Sequence, residues 1–170
     1  MGVEKVRART VRTWKGGPVA CYYGCQLVRP YGEADCAHNP VRMDELLAAS
    51  GVPTVDWSLK TKCCGGTLTG TIHEVGVRLN AILLREAKRK GAGAIVTICP
   101  LCQYNLDAYQ REVHNGDARI DMPVLYFSQI LAWALGGEVD ELGLGRAISG
   151  RRQIARWFVR ERVGGVDAGS

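Results

Sequence analysis

Four short apolar runs punctuate the chain, at 18–23, 53–57, 94–99 and 123–127, and between them apolar residues recur every three or four positions. Strand alternating with helix at this spacing dictates a parallel sheet, because consecutive parallel strands must be joined by a crossover and the usual crossover is a helix. Asn39 and Pro40 supply an N-cap and first-turn proline for a helix carrying Leu46 and Leu47, closed at Gly51. Ile72, Val75, Leu79, Ile82, Leu83 and Ala87 form the apolar stripe of a second helix, whose end at Lys88, Arg89, Lys90 and Gly91 is cationic and glycine-terminated. Leu106, Tyr109 and Val113 continue the logic after the third run, and Ile130, Leu131, Ala134 and Leu135 after the fourth. The fold class expected is α/β, an open parallel sheet with crossover helices. With 170 residues, 46% of them hydrophobic and 23% charged, the chain holds one domain's worth of core.

Charge sits at the two ends. Residues 1–17 carry +4, residues 146–170 carry +4, and the body between them carries −3. A mildly acidic body offers no nucleic-acid footprint, so no nucleic-acid partner is expected. The first seventeen residues show no helix or strand pattern and are expected to be a basic arm. Residues 18–136 form the α/β domain. In 137–170 a glycine-rich linker leads to an amphipathic basic helix, where Ile154, Trp157, Phe158 and Val159 alternate with Arg151, Arg152, Arg156, Arg160 and Arg162. Such a helix suits two roles equally: docking on its own sheet, or presenting a surface to another protein of a complex. No apolar run approaches the roughly 20 residues of a membrane helix. The first residues lack an apolar signal region, and no Ser or Thr follows Gly2 as a myristoylation signal requires, so a cytoplasmic protein without membrane insertion is expected.

Seven cysteines in such a chain point to metal or redox chemistry rather than structural disulfides, and an odd number reinforces this. Their positions are informative. Cys25 follows the first run, Cys63 and Cys64 follow the second, and Cys99 and Cys102 close the third. Loops at the carboxyl ends of parallel strands lie along one edge and build the site, so five thiols should converge. Cys21 lies within a strand and Cys36 in a loop, and both are read as structural. Adjacent Cys63 and Cys64 cannot bridge each other without straining the disulfide torsion and the intervening amide. Zinc needs four ligands, which the CxxC and the Cys pair could supply, although the adjacent pair is awkward for a tetrahedron. A thioredoxin-like dithiol would suit Cys99-Pro100-Leu101-Cys102 at a strand-to-helix junction but leaves Cys63 and Cys64 without a role. An iron–sulfur cluster accounts for all five thiols. Around an anionic cluster the Gly65-Gly66 amides can form a nest, helix N-termini follow Cys102 and Thr71, and Lys60, Lys62 and Arg29 lie near in sequence.

Spacing and local phrases make the pattern specific. Thirty-seven residues separate Cys25 from Cys63, and 34 separate Cys64 from Cys99. With the phrases ACYYGCQLVRP, KTKCCGGTLTGTIHEVGVRL and IVTICPLCQYNLDAYQ, the chain resembles the cysteine-rich CCG domain of the heterodisulfide reductase B subunit, and in particular its C-terminal copy. The resemblance runs from about Pro18 to Gly136. It implies a non-cubane [4Fe-4S] cluster held by Cys25, Cys63, Cys64, Cys99 and Cys102, in an iron–sulfur subunit of a complex that reduces a disulfide. It also implies two partners, a ferredoxin-like iron–sulfur subunit (C-type) and a flavoprotein iron–sulfur subunit (A-type). The family's B-type member usually carries two CCG domains and this chain carries one, which leaves room for a second CCG-domain chain. The gap before Cys99 is at the short end of the family's spacing. Two other readings stand beside this one: an electron-transfer or scaffold iron–sulfur module without catalysis, and a zinc-binding domain.

Few other side chains qualify for the site. His73, close behind the Cys-Cys loop, could give a proton to a leaving thiolate, and Arg29 could bind a carboxylate or phosphate of a thiol substrate. Tyr22, Tyr23 and Trp57 are read as packing residues, and His38 and His114 carry no role.

Overall fold

A computed structural model describes residues 2–29, 35–113 and 120–158. Among these residues three parallel strands, β1 (Val19–Tyr22), β2 (Ala94–Thr97) and β3 (Val124–Tyr126), form a sheet in the order β1-β2-β3. Val19 faces Ala94, and Ile95 faces Val124. Among the described residues six helices surround it: α1 (Val3–Arg9), α2 (Arg42–Ala49), α3 (His73–Arg89), α4 (Pro100–Ala108), α5 (Phe127–Ala134) and α6 (Arg151–Trp157). The expected α/β class and open parallel sheet are therefore present.

The pleat sorts the core into two layers. Val19, Cys21, Ala94, Val96 and Leu125 face Met43 and Leu47 of α2, Ile130, Trp133 and Ala134 of α5, and Ile154 of α6. Ala20, Tyr22, Ile95 and Val124 face Leu83, Leu84 and Ala87 of α3 and Leu106 of α4. Alternate residues of one strand thus feed opposite cores, as the two-residue period requires.

The second expected strand shrinks to a single parallel bridge between Thr54 and Val19. Val19 N–H donates to the Pro53 carbonyl and Val55 N–H to the Val19 carbonyl, each at 2.9 Å. The ladder would next use the Cys21 carbonyl, but the Trp57 indole takes it at 2.9 Å and the backbone turns away. This segment still lies beyond β1 on the side away from β2. The chain therefore reverses direction across β1, and the crevice outside the carboxyl ends of β1 and β2 is a topological switch point.

The helix starts and faces also depart from expectation. The α2 N-cap is Val41, not Asn39, and the free N–H groups of Val41 and Arg42 are held by the Asp35 carboxylate at 2.8 Å each. On α3, Ile72, Val75 and Ile82 are exposed, while Gly76, Asn80, Ala81, Leu83, Leu84 and Ala87 are buried. Close approach at Gly76 explains this rotation, since a Cβ there would meet Thr69 Cγ2 at 2.5 Å and Thr69 N at 2.6 Å. The first turn of α3 is also tied to the 3-10 turn Tyr109–Glu112. His73 Nδ1 reaches the Thr69 carbonyl at 3.1 Å and Nε2 reaches Glu112 Oε2 at 2.6 Å. Both partners are acceptors, so the protonated ring, with two N–H donors, fits best.

The first seventeen residues are more ordered than their pattern suggests. They contain α1, which buries Val6 against α2, and Trp14, which is 7% exposed. Val11 and Arg12 N–H groups and the Arg12 guanidinium bond carbonyls in the last turn of α5 and just after it, where a cation also complements the helix dipole. Trp14 lies 5.9 Å from Trp133, 5.4 Å from Trp157 and 5.7 Å from Phe158 between ring centroids. The basic C-terminal helix is thereby docked on its own core through Ile154 and Phe158, with Arg151, Arg152 and Arg156 left exposed. His114, Val159, Arg160 and Arg162 lie outside the described residues.

Two outcomes follow from this packing. Trp14→Ala should destabilise the protein by about 3–5 kcal/mol, the cost of emptying a buried aromatic site, read as a lowered midpoint in urea. The Glu112 hydrogen bond holds His73 above its ordinary value of 6.5. The contribution of this pair to stability is complete below that value and is lost as pH rises through the raised pKa. Glu112→Gln should therefore bring the His73 ring titration, followed by NMR, to lower pH.

Candidate metal centre

The end of β1 is sewn to the segment that precedes Cys63. Tyr22 O–H donates to the Lys62 carbonyl at 2.5 Å, and the Tyr23 and Gly24 N–H groups both donate to the Lys60 carbonyl, at 2.8 and 3.0 Å. These bonds bring the turn that carries Cys25 beside the loop that carries Cys63 and Cys64, and burial together with those two neighbouring thiols pushes the Cys25 thiol up. Gly24, at φ +67°, lets the turn pass so close that a Cβ there would sit 3.2 Å from Cys102 Sγ. Both the left-handed backbone and the missing side chain require glycine.

From the other side, β2 runs directly into α4, whose N-cap is Cys99 and whose first turn carries Cys102. The pattern alone suggests a helix N-terminus after Cys102. The helix begins at Pro100 instead, which puts both cysteines at its positive end. Cys64 Sγ and Cys102 Sγ lie 3.5 Å apart, and Cys99 is close enough to act electrostatically on Cys102. The five expected thiols therefore gather at one edge of the sheet, with Cys64 and Cys102 in contact and Cys25, Cys63 and Cys99 within electrostatic reach of them. Among the described residues, no group of three or more Cys, His, Asp or Glu side chains meets the spacing of a site for one metal ion.

Donors already point at the sulfurs. Gly65 N–H donates to Cys63 Sγ at 3.3 Å, and Gly65 has φ +73°. The hydrogen bond from Cys102, the Gly66 N–H, Asn105 and Tyr22 together lower Cys64 to about 6 against the opposing effect of burial. Cys102 moves the other way, raised by that shared hydrogen bond and by its burial. Two thiolates 3.5 Å apart would repel by about 5 kcal/mol at an effective dielectric near 20. A full set of thiolates here thus calls for a cationic group, and five soft sulfur donors spread beyond the reach of one ion and backed by amide N–H groups fit an iron–sulfur cluster better than a single zinc.

The remaining sulfurs and cations fall elsewhere. Cys21 is fully buried on the opposite face of the sheet, its thiol pushed up by that burial, and Cys36 is exposed. Lys60, expected near a cluster for its charge, is buried on the α2 side, with Nζ 3.3 Å from the Pro40 carbonyl and 3.8 Å from Asp44 and Asp56. Its backbone carbonyl rather than its ammonium serves the thiols. Lys62 and Arg29 are not buried, His73 is engaged by Glu112 and Thr69, and His38 is exposed. Tyr22, Tyr23 and Trp57 are buried, as expected of packing residues. Sequence reasoning missed Asn105, whose amide donates to the Cys64 carbonyl at 2.7 Å, and Asn80 behind it. Asn105 stands three residues after Cys102, on the same helical face, and that spacing was the available signal.

The chain matches the CCG cysteine-rich domain over residues 19–107. It is 34% identical over 150 residues to the B subunit of the ferredoxin/F(420)H(2)-dependent CoB-CoM heterodisulfide reductase of Methanosarcina acetivorans, covering 85% of this chain and 49% of that protein. Over 145 residues it is 29% identical to the 8-methylmenaquinol:fumarate reductase membrane anchor subunit of Wolinella succinogenes, covering 84% and 51%. A protein of Archaeoglobus profundus described as like the heterodisulfide reductase B subunit is 29% identical over 170 residues, covering 95% and 56%. The chain thus spans about half the length of the curated relatives it matches. A crystal structure of a hypothetical protein from Helicobacter pylori shares the fold, with TM-score 0.60 at 14% identity over 86% of this chain and 28% of that one. With the family match covering more than half of its residues and the cysteine pattern in place, the chain belongs to the CCG cysteine-rich domain family.

Proposed function

We propose that this chain is the iron–sulfur CCG subunit of a heterodisulfide-reductase-like complex, holding a non-cubane [4Fe-4S] cluster on Cys25, Cys63, Cys64, Cys99 and Cys102 and taking part in disulfide reduction. The observation that carries the reading is the gathering of five thiols at the switch point of the sheet. When bound, the cluster supplies electrons one at a time beside iron that accepts sulfur ligands. The chain's own residues hold that group. The Gly65 and Gly66 amides and the N-terminus of α4 face its negative charge, and Tyr22 with the Lys60 carbonyl fixes the distance between the Cys25 turn and the Cys63 loop. Leu101 lies against the thiol loop, where a Cβ on Gly66 would sit 2.7 Å from its Cγ, and gives that side of the edge an apolar contact. Cys63 is exposed, and Cys25 and Cys99 are partly so, which leaves the centre an open side for a substrate sulfur. Arg29, exposed four residues after Cys25, is the residue assigned here to a substrate carboxylate or phosphate.

Disulfide cleavage takes two electrons, and a centre that exchanges one at a time leaves the second sulfur without a partner. A complex follows from this chemistry: a ferredoxin-like iron–sulfur protein and a flavoprotein with iron–sulfur centres to bring electrons, and a second CCG domain to receive the other sulfur. The setting is the cytoplasm or its membrane face. Among the described residues, no helix is long and apolar enough to cross a membrane. One observation favours a second reading, an electron-transfer module without disulfide chemistry: the similarity to a relative named as the membrane anchor subunit of an 8-methylmenaquinol:fumarate reductase.

Anaerobically purified protein should contain iron and acid-labile sulfide and give an EPR signal on oxidation or reduction, whereas stoichiometric zinc without iron overturns the cluster. Cys63→Ala or Cys64→Ala should abolish iron binding, because the neighbouring thiol already serves another position, while Cys21→Ser and Cys36→Ser retain it. The isolated chain should not turn over a disulfide with an artificial one-electron donor, and the assembled complex should. A complex that passes electrons yet leaves every disulfide intact selects the second reading.

A further inference from the structure

Two fully buried amides lie behind the Cys63–Cys64 loop. Asn80, in the eighth position of α3, is 0% exposed, and Asn105, one turn beyond Cys102 on α4, is 1% exposed. Asn105 Nδ2 donates to the Cys64 carbonyl at 2.7 Å and to Asn80 Oδ1 at 3.2 Å. Asn80 Nδ2 and Asn105 Oδ1 have no hydrogen-bond partner among the described residues. Gly76, one turn before Asn80, packs so tightly that a Cβ on Gly65 would lie 3.0 Å from its Cα, so this part of α3 sits directly against the thiol loop.

Core packing alone does not call for this pair. Two leucines would fill similar volume without orphaned polar atoms, and an unsatisfied buried polar group in a native fold usually marks a role. The orientation of the amides supplies one. Asn80 presents its carbonyl end to Asn105, which fixes the Asn105 plane so that its N–H end, and not its oxygen, faces Cys64. The Asn105 amide therefore turns its positive end toward the Cys64 loop, with the Asn80 carbonyl accepting from it behind, and in a dry interior such a fixed dipole acts strongly on nearby charge.

We propose that Asn105, oriented by Asn80, is a positioning residue of the five-thiol centre: it pins the Cys64 carbonyl so that Cys64 faces Cys102, and it keeps the positive end of its amide beside the negative charge the centre carries. The inference rests on the cluster reading above. Hydrogen bonds and dipoles around cluster sulfurs help set reduction potential, and donors favour the more negative, reduced state. Removing them should make the centre harder to reduce.

The test compares Asn80→Leu, Asn105→Leu and the double variant with wild type by iron and sulfide content, thermal melting and EPR-monitored redox titration. Gln110→Leu is the control. Gln110 is equally buried, bonding Leu106 and Met122, so its loss costs stability without touching the thiol loop. The expected result is a midpoint moved negative in all three Asn variants, so that the ratio of reduced to oxidised centre at the wild-type midpoint falls about tenfold, equivalent to about 59 mV for one electron. The double variant, which leaves no half-satisfied amide, should melt close to wild type and keep the shift, or fold while losing iron. Either outcome supports the role. Midpoint and EPR line shape unchanged in all three iron-loaded variants would overturn it, as would an equal shift in Gln110→Leu. Wild-type protein that binds no iron fails the cluster reading itself, a result visible before any variant is compared.

Discussion

Negative sulfurs repel, and a fold that gathers five of them must hold them by something other than their own attraction. Here the holding is done by backbone. The Lys60 carbonyl accepts two N–H groups from the end of β1, the Lys62 carbonyl accepts the Tyr22 hydroxyl, and the Cys64 carbonyl accepts Asn105. None of these bonds involves a thiol, so the arrangement does not depend on the protonation of the cysteines it positions. Amide N–H groups from Gly65 and Gly66 then meet the sulfurs. The site is in this sense preformed: the ordering cost is carried by the sheet and its crossovers, and a bound group need not supply it.

How much of this was legible in the sequence depended on whether one element or two determined the outcome. Strand and helix identity followed from periodicity within single segments, and the position of each cysteine relative to its strand followed with it. The missing second strand did not, because it turns on Trp57 capturing the Cys21 carbonyl from 36 residues away. The buried face of α3 escapes the pattern for a similar reason. Its apolar stripe argues for burying Ile72, Val75 and Ile82, but Gly76 and Asn80 meet Thr69 and Asn105, and close backbone contact outweighs side-chain hydrophobicity. Residues 1–17 lack a pattern because their order comes from outside, through Trp14 among the rings of α5 and α6 and through Arg12 on the last turn of α5.

Lys60 shows how sequence proximity to a site can mislead about charge. It stands three residues before Cys63, and its ammonium is spent on Pro40, Asp44 and Asp56 on the far side of the sheet. Tyr23 joins the same network through Asp44, and its hydroxyl also accepts the Met43 N–H at the start of α2. The polar residues on the α2 face therefore fix the backbone from behind, while the α3–α4 face presents the sulfurs.

Strand alternation makes this division of labour sharp, and Cys21 is the residue that demonstrates it. It lies four positions before Cys25 and next to Tyr22, whose hydroxyl helps to lock the site, yet its side chain enters the other core. A one-residue slip of β1 would exchange every inward and outward side chain, bringing Cys21 toward the thiols and removing Tyr22 from Lys62. Four parallel pairs with β2, from Val19 opposite Ala94 to Tyr22 opposite Thr97, oppose that slip. Proximity in sequence thus makes Cys21 a candidate ligand, and register removes it. The same register delivers Gly24 to the one position where its missing Cβ lets Cys102 approach. The pairing of β1 with β2 therefore determines both which cysteines can serve the centre and how closely they can meet.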